Sequence, residues 1–210
     1  CCLGVCSGEH THVGEVSVLA GVVHAVTDHE LVRDGENVHS LGDPTEGALL
    51  IAAAKLGYWK ESLDGSFSRI TELPFDSNRK RMTTVHSLAG HDPNLLVGLP
   101  VDGSSFIAFT KGSVDGLLEL TSRLWVNGEF VALDEAWRTR IERSNEEMAA
   151  KGMRVLAIAF RLLNDQPAEG DPGLESGLTL VGLFGMIDPP RAEVREAVDT
   201  CLAAGIRPMM

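Results

Sequence analysis

The chain has 210 residues, of which 44% are hydrophobic and 23% are charged, as is usual for a globular protein with a buried core. Its 30 acidic residues outnumber its 18 basic residues, so the net charge is −12. Such a charge repels phosphate backbones and anionic lipid surfaces, which argues against nucleic acid or direct membrane contact as the function. The longest apolar stretch, residues 178–187, is about half as long as a membrane span. A site for an anionic ligand would therefore need a local concentration of basic side chains.

The N-terminal region carries a cluster of cysteine and histidine residues. Cys1, Cys2 and Cys6 lie near His10 and His12, which suggests a metal site, although their spacing matches no standard zinc module. The alternative is a short helix that buries Cys2 and Cys6 as small apolar residues. Four cysteines are too few to predict a disulfide framework, and no signal peptide is predicted. Because the chain begins with a cysteine and stops as a new apolar segment starts, we expect a fragment of a longer protein.

The first strongly predicted element is a helix that begins near residue 44. Asp43 is a natural N-cap, Pro44 suits the first helical position, and Glu46 stands where a capping box has its acidic residue. An Ala- and Leu-rich run follows, and Gly57 predicts its end.

The middle of the chain predicts mainly strands. They are expected at residues 70–75, 81–86, 95–99 and 104–110. A short helix is expected at residues 115–120, after the last of these strands. Asn127 and Gly128 then supply the positive φ angles of a tight hairpin turn.

The last third of the chain predicts two helices and two buried strands. Asp134 caps a long helix that extends to about residue 151, and another helix follows residue 191. Residues 155–160 and 178–187 are almost continuously apolar, which indicates strands that are buried on both faces. The predicted class is α/β (α+β), with a largely antiparallel sheet flanked by helices. A change of domain is expected between about residues 177 and 188.

Four separate segments present polar groups at a strand end or a helix start. They are Thr45 with Glu46; Phe75 with Ser77, Arg79 and Lys80; Lys111 with Gly112; and Arg154 after Gly152. An aromatic ring, several cations and a carboxylate are the groups that a purine nucleotide requires. The ring stacks on the base, the cations face the phosphates, and the carboxylate can accept a hydrogen bond from the adenine amino group.

Each segment also has a purely structural interpretation. The alternatives are a capping-box role for Glu46, a core position for Phe75, solvent exposure for Lys80 and Lys111, and an ion pair of Arg154 with Glu146 or Glu147. The sequence contains no Walker-type phosphate loop and no GxGxxG motif after a strand. The residues alone therefore leave the choice open.

Five segments, in order, resemble the nucleotide-binding domain of type II P-type ATPases, a group that includes the calcium pumps. They are GDPTEGAL at residues 42–49, LPFDSNRKRM at 73–82, FTKGS at 109–113, GMRVLAIA at 152–159 and GMIDPPR at 185–191. The resemblance implies that residues 1–180 form the nucleotide-binding domain. It implies that residues 181–210 are the truncated start of a phosphorylation domain of the haloacid dehalogenase type.

The resemblance also implies an ATP site. Phe75 would stack on adenine, Glu46 would bind near its amino edge, and Arg154 would reach the phosphates. The full implied set is Thr45, Glu46, Phe75, Ser77, Lys80, Lys111, Gly112, Arg154 and Leu156. Asp188 and Arg191 would serve as hinge elements when the cytoplasmic domains close.

The chain departs from the family pattern at two places. Residues 113–115 read Ser-Val-Asp where family members often have Ala-Pro-Glu, and Ser77 stands where some calcium pumps carry an arginine.

The function implied by the resemblance is delivery of ATP within an ion-translocating ATPase, as a cytoplasmic portion of an integral membrane protein. The expected partners are ATP and the phosphorylation and actuator domains of that pump. Calcium is the transported ion that the family resemblance favours. The sequence lacks the DKTGT, TGD and GDGxND segments, so we expect Mg²⁺ to bind outside this chain, and ATP to bind without turnover. The alternatives are a free-standing nucleotide-binding regulatory module, a metal- or partner-binding domain that uses the N-terminal cluster, and a soluble phosphatase.

Overall fold

A computed structural model of the chain describes residues 27, 30–34, 37–41, 44–55, 59, 67–90, 101, 103–187 and 192–209. Its first elements are β1 (Glu30–Asp34) and β2 (Asn37–Leu41), which pair antiparallel ahead of α1 (Pro44–Lys55). No element is predicted at this hairpin from the sequence, although the dipeptide Asp34-Gly35 is a hairpin signal.

A larger sheet of seven strands forms the centre of the described structure. Its strands are β3 (Arg69–Asp76), β4 (Arg81–Ser87), β5 (Phe106–Gly112), β6 (Thr121–Val126), β7 (Glu129–Ala132), β8 (Arg154–Leu163) and β9 (Leu178–Met186). The strands lie in the order β3-β4-β5-β8-β9-β6-β7, and of these neighbours only β6 and β9 run parallel. The prediction of an α/β fold with a largely antiparallel sheet is confirmed.

Helices pack on both faces of this sheet. The remaining elements are α2 (Val114–Leu120), α3 (Glu135–Ala150), a 3₁₀ turn (Pro172–Glu175) and α4 (Ala192–Ala203). Along β8, Ile158 and Phe160 pack in the core with α1, whereas Ala157 and Ala159 pack in the core with α2 and α3. Successive strand residues point to opposite faces, so these two cores lie on opposite sides of the sheet. Burial on both faces explains why β8 and β9 are so continuously apolar.

One predicted helix cap and one predicted hairpin turn are confirmed. The side chain of Asp134 accepts a hydrogen bond of 2.8 Å from the backbone N–H of Trp137 and so caps α3. Asn127 and Gly128 join β6 to β7 with φ angles of 54° and 82°. Both features depend only on neighbouring residues, which is why a short sequence window predicts them.

Several predictions fall outside the residues that the structure describes. They are the N-cap Asp43, the helix stop Gly57, the strand at residues 95–99, the cluster of Cys1, Cys2, Cys6, His10 and His12, and the hinge residues Asp188 and Arg191. In the part that is described, no group of three or more His, Cys, Asp or Glu residues could hold a metal ion. None of the described helices is long and apolar enough to cross a membrane.

The division of the chain into two domains stays a prediction. The predicted boundary between residues 180 and 181 falls inside β9, whose nine residues are all buried and remain in the seven-stranded sheet as far as Met186.

Candidate functional site

A cavity of about 480 Å³ lies where the N-terminus of α1 meets one edge of the sheet, a volume within the range of roughly 300–1,000 Å³ for ligand sites. It is lined by Thr45, Glu46, Glu72, Pro74, Phe75, Lys80, Met82, Lys111, Gly112, Arg154 and Leu156. Eight of the nine predicted site residues are therefore brought together. The ninth, Ser77, lies exposed in the turn after β3 and is not part of this lining.

The strand order explains why segments so far apart in sequence converge. In an antiparallel sheet, the end of one strand lies beside the start of the next. Met82 near the start of β4 pairs with Lys111 near the end of β5, and Lys111 pairs in turn with Ile158 of β8. The ends of β3 and β5 and the starts of β4 and β8 therefore meet at one edge, next to Thr45 and Glu46 in the first turn of α1.

Phe75 presents an exposed ring because β3 is irregular at this point. Leu73 pairs with Thr83 and Asp76 pairs with Arg81, so three steps along β3 match two steps along β4. This extra residue is a β-bulge, a feature that redirects side chains and is frequent beside binding sites. The Phe75 side chain is 64% exposed and lines the cavity, so its interpretation as a core residue is wrong.

Lys111 and Glu46 form an ion pair at the cavity. The Lys111 ammonium donates to Glu46 Oε1, and the two side chains are only 6% and 20% exposed. Solvent exposure of Lys111 is therefore excluded, and Glu46 does more than complete a capping box. Because both charges are largely removed from water, each depends on the other for its stability.

Arg154 faces the cavity rather than the acidic helix that precedes it. Its Nη1 donates to Thr45 Oγ1, whereas Glu147 pairs with Arg143 at 2.9 Å. This contact joins the start of β8 to the first turn of α1. Leu156, two residues further along β8, lines the same cavity and adds apolar surface.

Lys80 occupies a backbone conformation that is unusual for a residue with a side chain. Its φ angle is 51°, in the left-handed region, and its N–H donates to the carbonyl of Asp76 at 2.7 Å. Backbone strain of this kind is concentrated at ligand sites. The hydrogen bond from the backbone N–H of Arg79 to the Asp76 carboxylate lowers the pKa of Asp76 below its usual value, so this carboxylate stays ionised and closes the turn.

The sequence Ser-Val-Asp at residues 113–115, where family members often have Ala-Pro-Glu, begins a capped helix. Ser113 Oγ accepts from the N–H of Gly116 at 3.3 Å, which caps α2, and the Ser113 N–H donates to the carbonyl of Lys80 at 3.0 Å. The start of α2 is thereby joined to the strained turn beside the cavity.

Comparison with known proteins assigns the family. Residues 17–193 match the family model of the P-type ATPase, cytoplasmic domain N. The chain belongs to this family as an N domain. The match contains all five of the segments that carry the resemblance in full.

Relatives of the N domain are named calcium-transporting or cation-transporting ATPases. It is 38% identical over 174 residues to calcium-transporting ATPase 1 of Bacillus cereus, which covers 83% of this chain and 18% of that protein. It is 37% identical over 198 residues to the cation-transporting ATPase pma1 of Synechocystis, which covers 93% of this chain and 20% of that protein. It is 35% identical over 192 residues to probable cation-transporting ATPase F of Mycobacterium tuberculosis, covering 90% of this chain and 19% of that protein. The N domain thus spans about a fifth of each of these relatives.

Three residues that line the cavity of the N domain were not predicted: Glu72, Pro74 and Met82. Met82 lies within the segment LPFDSNRKRM, residues 73–82, that carries the family resemblance, and this segment is the signal that could have found it. Glu72 lies two residues before Pro74 on β3 and forms an ion pair of 2.8 Å with Arg69. Their lining role depends on the bulge in β3, which the sequence does not reveal.

A buried carboxylate below the β3–β4 turn of the N domain was also not predicted. Glu175, at the end of the 3₁₀ turn, is only 3% exposed and accepts from Arg79 Nη1 and Arg81 Nε at 2.6 Å each. Thr83 Oγ1 donates to the same carboxylate at 3.1 Å. We call these four residues the Glu175 network. Arg79 was grouped from sequence with the cations beside Phe75, but it does not line the cavity, and its guanidinium contacts Glu175 and the carbonyl of Pro74.

The Glu175 network predicts acid sensitivity of the N domain. Burial raises the pKa of Glu175, but hydrogen bonds from Arg79 and Arg81 outweigh that effect and hold the pKa below its ordinary value of 4.5. The network therefore stabilises the fold fully above that value, and this contribution is lost as the pH falls through the lower pKa of the folded protein. We expect the difference in unfolding free energy between wild type and Glu175→Gln, measured in urea, to be constant near neutral pH and to shrink below about pH 4.5. A difference that does not depend on pH would contradict this account.

Proposed function

We propose that the N domain binds ATP in the 480 Å³ cavity. The observation that carries the proposal is the convergence of an exposed aromatic ring, three cations and two carboxylates around one space of ligand size. The ring of Phe75 offers a stacking surface for the adenine base. Lys80 and Arg154, both exposed, are available to phosphate oxygens.

The buried pair supplies the polar contact to the base. Lys111 fixes the carboxylate of Glu46 in place, and Glu46 can accept a hydrogen bond from the adenine amino group. Three cations against the two carboxylates of Glu46 and Glu72 leave the cavity with a positive surplus, although the whole chain carries a net charge of −12. The local concentration of basic groups that an anionic ligand requires is therefore present.

Within a full-length pump, we propose that the N domain delivers the γ-phosphate of ATP to an aspartate on a neighbouring domain. The 210 residues contain no DKTGT segment, so the chain should bind ATP without hydrolysing it. The partners of this step would be the phosphorylation and actuator domains, on the cytoplasmic face of a cation-transporting ATPase. Residues 181–210 would begin the phosphorylation domain, with Asp188 and Arg191 near the hinge.

Magnesium does not fit the cavity as the described residues form it. Its two carboxylates already have cationic partners, Glu46 in Lys111 and Glu72 in Arg69. Mg²⁺ prefers oxygen ligands of carboxylates and phosphates, so we place the ion of the full pump outside this cavity. No observation within the described residues favours a regulatory module, a metal-binding domain or a phosphatase.

The substitution Phe75→Ala tests ATP binding. Loss of base stacking, worth about 1–3 kcal/mol, should weaken ATP binding roughly 5- to 150-fold in a calorimetric titration. Because the Phe75 side chain is 64% exposed, the free energy of unfolding should change by less than about 0.5 kcal/mol. The matched control is Ile70→Ala, an exposed apolar residue of the same strand that does not line the cavity, and it should leave ATP binding unchanged. Absence of binding by the folded wild-type chain at millimolar ATP would overturn the proposal.

A further inference from the structure

We propose that Glu175 is a positioning residue of the cavity, which acts through Arg79 to hold the bulge that carries Phe75. The part of this inference that concerns ligand affinity rests on the proposed ATP site. The part that concerns the placement of Phe75 can be tested without a ligand.

The first step of the argument is the bridge made by one guanidinium group. Arg79 Nη1 donates to Glu175 Oε1 at 2.6 Å, and Arg79 Nη2 donates to the carbonyl oxygen of Pro74 at 2.7 Å. Pro74 is the neighbour of Phe75 inside the bulge, where the regular pairing of β3 with β4 is interrupted. A bulge leaves backbone groups without ladder partners, and Arg79 supplies the donor for one of them.

The second step is that both oxygens of the carboxylate are bound to the same hairpin. Arg81 Nε donates to Glu175 Oε2 at 2.6 Å, and Arg81 Nη1 donates to the backbone carbonyl of Arg79 at 3.2 Å. Glu175 therefore holds the turn between β3 and β4 at two points. Because arginine presents its donors in a rigid planar fork, such contacts fix direction as well as distance.

The third step is that Glu175 is itself held by the centre of the sheet. Asp171 caps the 3₁₀ turn through the N–H of Gly173 at 2.8 Å. Arg161 of β8 donates to the carbonyl groups of Gly173 and Ser176, the latter at 3.0 Å. The contacts with Arg161 therefore hold Glu175 in place relative to β8, and Glu175 in turn holds the β3–β4 hairpin.

The fourth step is that Phe75 needs such support. Its side chain is 64% exposed, so little packing holds the ring in one orientation. The backbone of the bulge must therefore set the direction of the Phe75 side chain. The hydrogen bond from Arg79 to Pro74 holds the backbone next to Phe75. Without Glu175, Arg79 loses the partner that directs its fork at this carbonyl.

The decisive experiment is a double-mutant cycle on ATP binding by this chain. Glu175→Gln should weaken ATP binding roughly 3- to 10-fold, and adding it to Phe75→Ala should produce almost no further loss, because both act through one ring. Arg79→Lys keeps the positive charge but loses the fork, so it should weaken binding to a similar extent. Since Arg79 is partly exposed, Arg79→Lys should fold even if Glu175→Gln does not, and its ATP affinity then tests the positioning role.

The matched control is Thr83→Val. It removes a hydroxyl that bonds the same carboxylate at 3.1 Å and so disturbs the network, but it leaves both arginine contacts in place. We expect this variant to be less stable than wild type and to bind ATP with wild-type affinity.

A second measurement needs no nucleotide. Fluorine NMR of the chain labelled with 4-fluorophenylalanine, with the Phe75 signal identified by its absence in Phe75→Ala, should show that signal shifted in Glu175→Gln and Arg79→Lys but unchanged in Thr83→Val. An unshifted signal, or losses of affinity that add fully in the cycle, would overturn the positioning role. Failure of wild type to bind ATP while the fluorine shifts occur would overturn the ATP site and leave the positioning role standing.

Discussion

Gly112→Ala is expected to destabilise the domain by about 1–3 kcal/mol and to disrupt the cavity. A Cβ atom at this position would lie 2.6 Å from Arg81 Cβ, 2.6 Å from Leu117 Cδ1 and 2.8 Å from the carbonyl oxygen of Lys80. Two of these neighbours are a backbone oxygen and a Cβ, which cannot move without moving β4. The strained turn at Lys80 would have to shift, and with it one of the cations of the cavity.

The matched control for this experiment is Gly185→Ala. Gly185 lies on β9 in the same sheet and is buried, but the atoms nearest to an added Cβ would be the sulfur atoms of Met148 and Met153, at 2.9 and 3.0 Å. Methionine side chains are flexible enough to move aside, so the cost should be smaller. Urea denaturation and ATP titration of both variants make the comparison. Equal loss of stability in the two variants, or full ATP affinity in Gly112→Ala, would refute the assigned role of Gly112.

Features that depend on neighbouring residues could be predicted from the sequence. The hairpin at Asn127 and Gly128 and the cap at Asp134 follow from the conformational preferences of single residues. The buried strands β8 and β9 follow from their continuous apolar composition. The residues of the candidate site were also reached, but through the resemblance to a family, since their spacing alone left structural alternatives open.

Features that depend on contacts between residues far apart in sequence could not be predicted from the sequence. Glu175 bonds Arg79 across 96 positions of sequence, and an isolated glutamate in a Pro- and Gly-rich loop carries no signal of this contact. The bulge at Phe75 arises from a mismatch of register between two strands, which becomes visible only when their pairing is known. The burial of Lys111 likewise depends on α1, a helix that lies 65 residues earlier at the contacting Glu46.

Taken together, the site has a buried part and an exposed part with different physical tasks. Lys111 and Glu46 are largely shielded from water, so changes there should affect both folding and binding. Phe75, Lys80 and Arg154 are exposed, so changes there should affect binding with little effect on folding. This contrast separates structural damage from loss of recognition in any set of variants.

Lys111→Met tests the buried part and should have the largest effect on stability. Removing the ammonium leaves the Glu46 carboxylate, only 20% exposed, without its cation. Breaking a buried pair in this way costs about 3–5 kcal/mol, and we expect the lower end because Glu46 retains some contact with water. ATP binding should also be lost, because the carboxylate is no longer held toward the base.

The double variant Glu46→Gln with Lys111→Met distinguishes these two effects. Neutralising the carboxylate removes the uncompensated charge, so most of the lost unfolding free energy in urea should return. ATP affinity should remain low, because neither the cation nor the carboxylate that binds the adenine amino group is restored. If the double variant is as unstable as Lys111→Met, the cost arises from lost packing of the lysine stem rather than from an unpaired charge. If it regains ATP affinity, the pair serves the fold alone and recognition of the base must lie with Phe75 and the exposed cations.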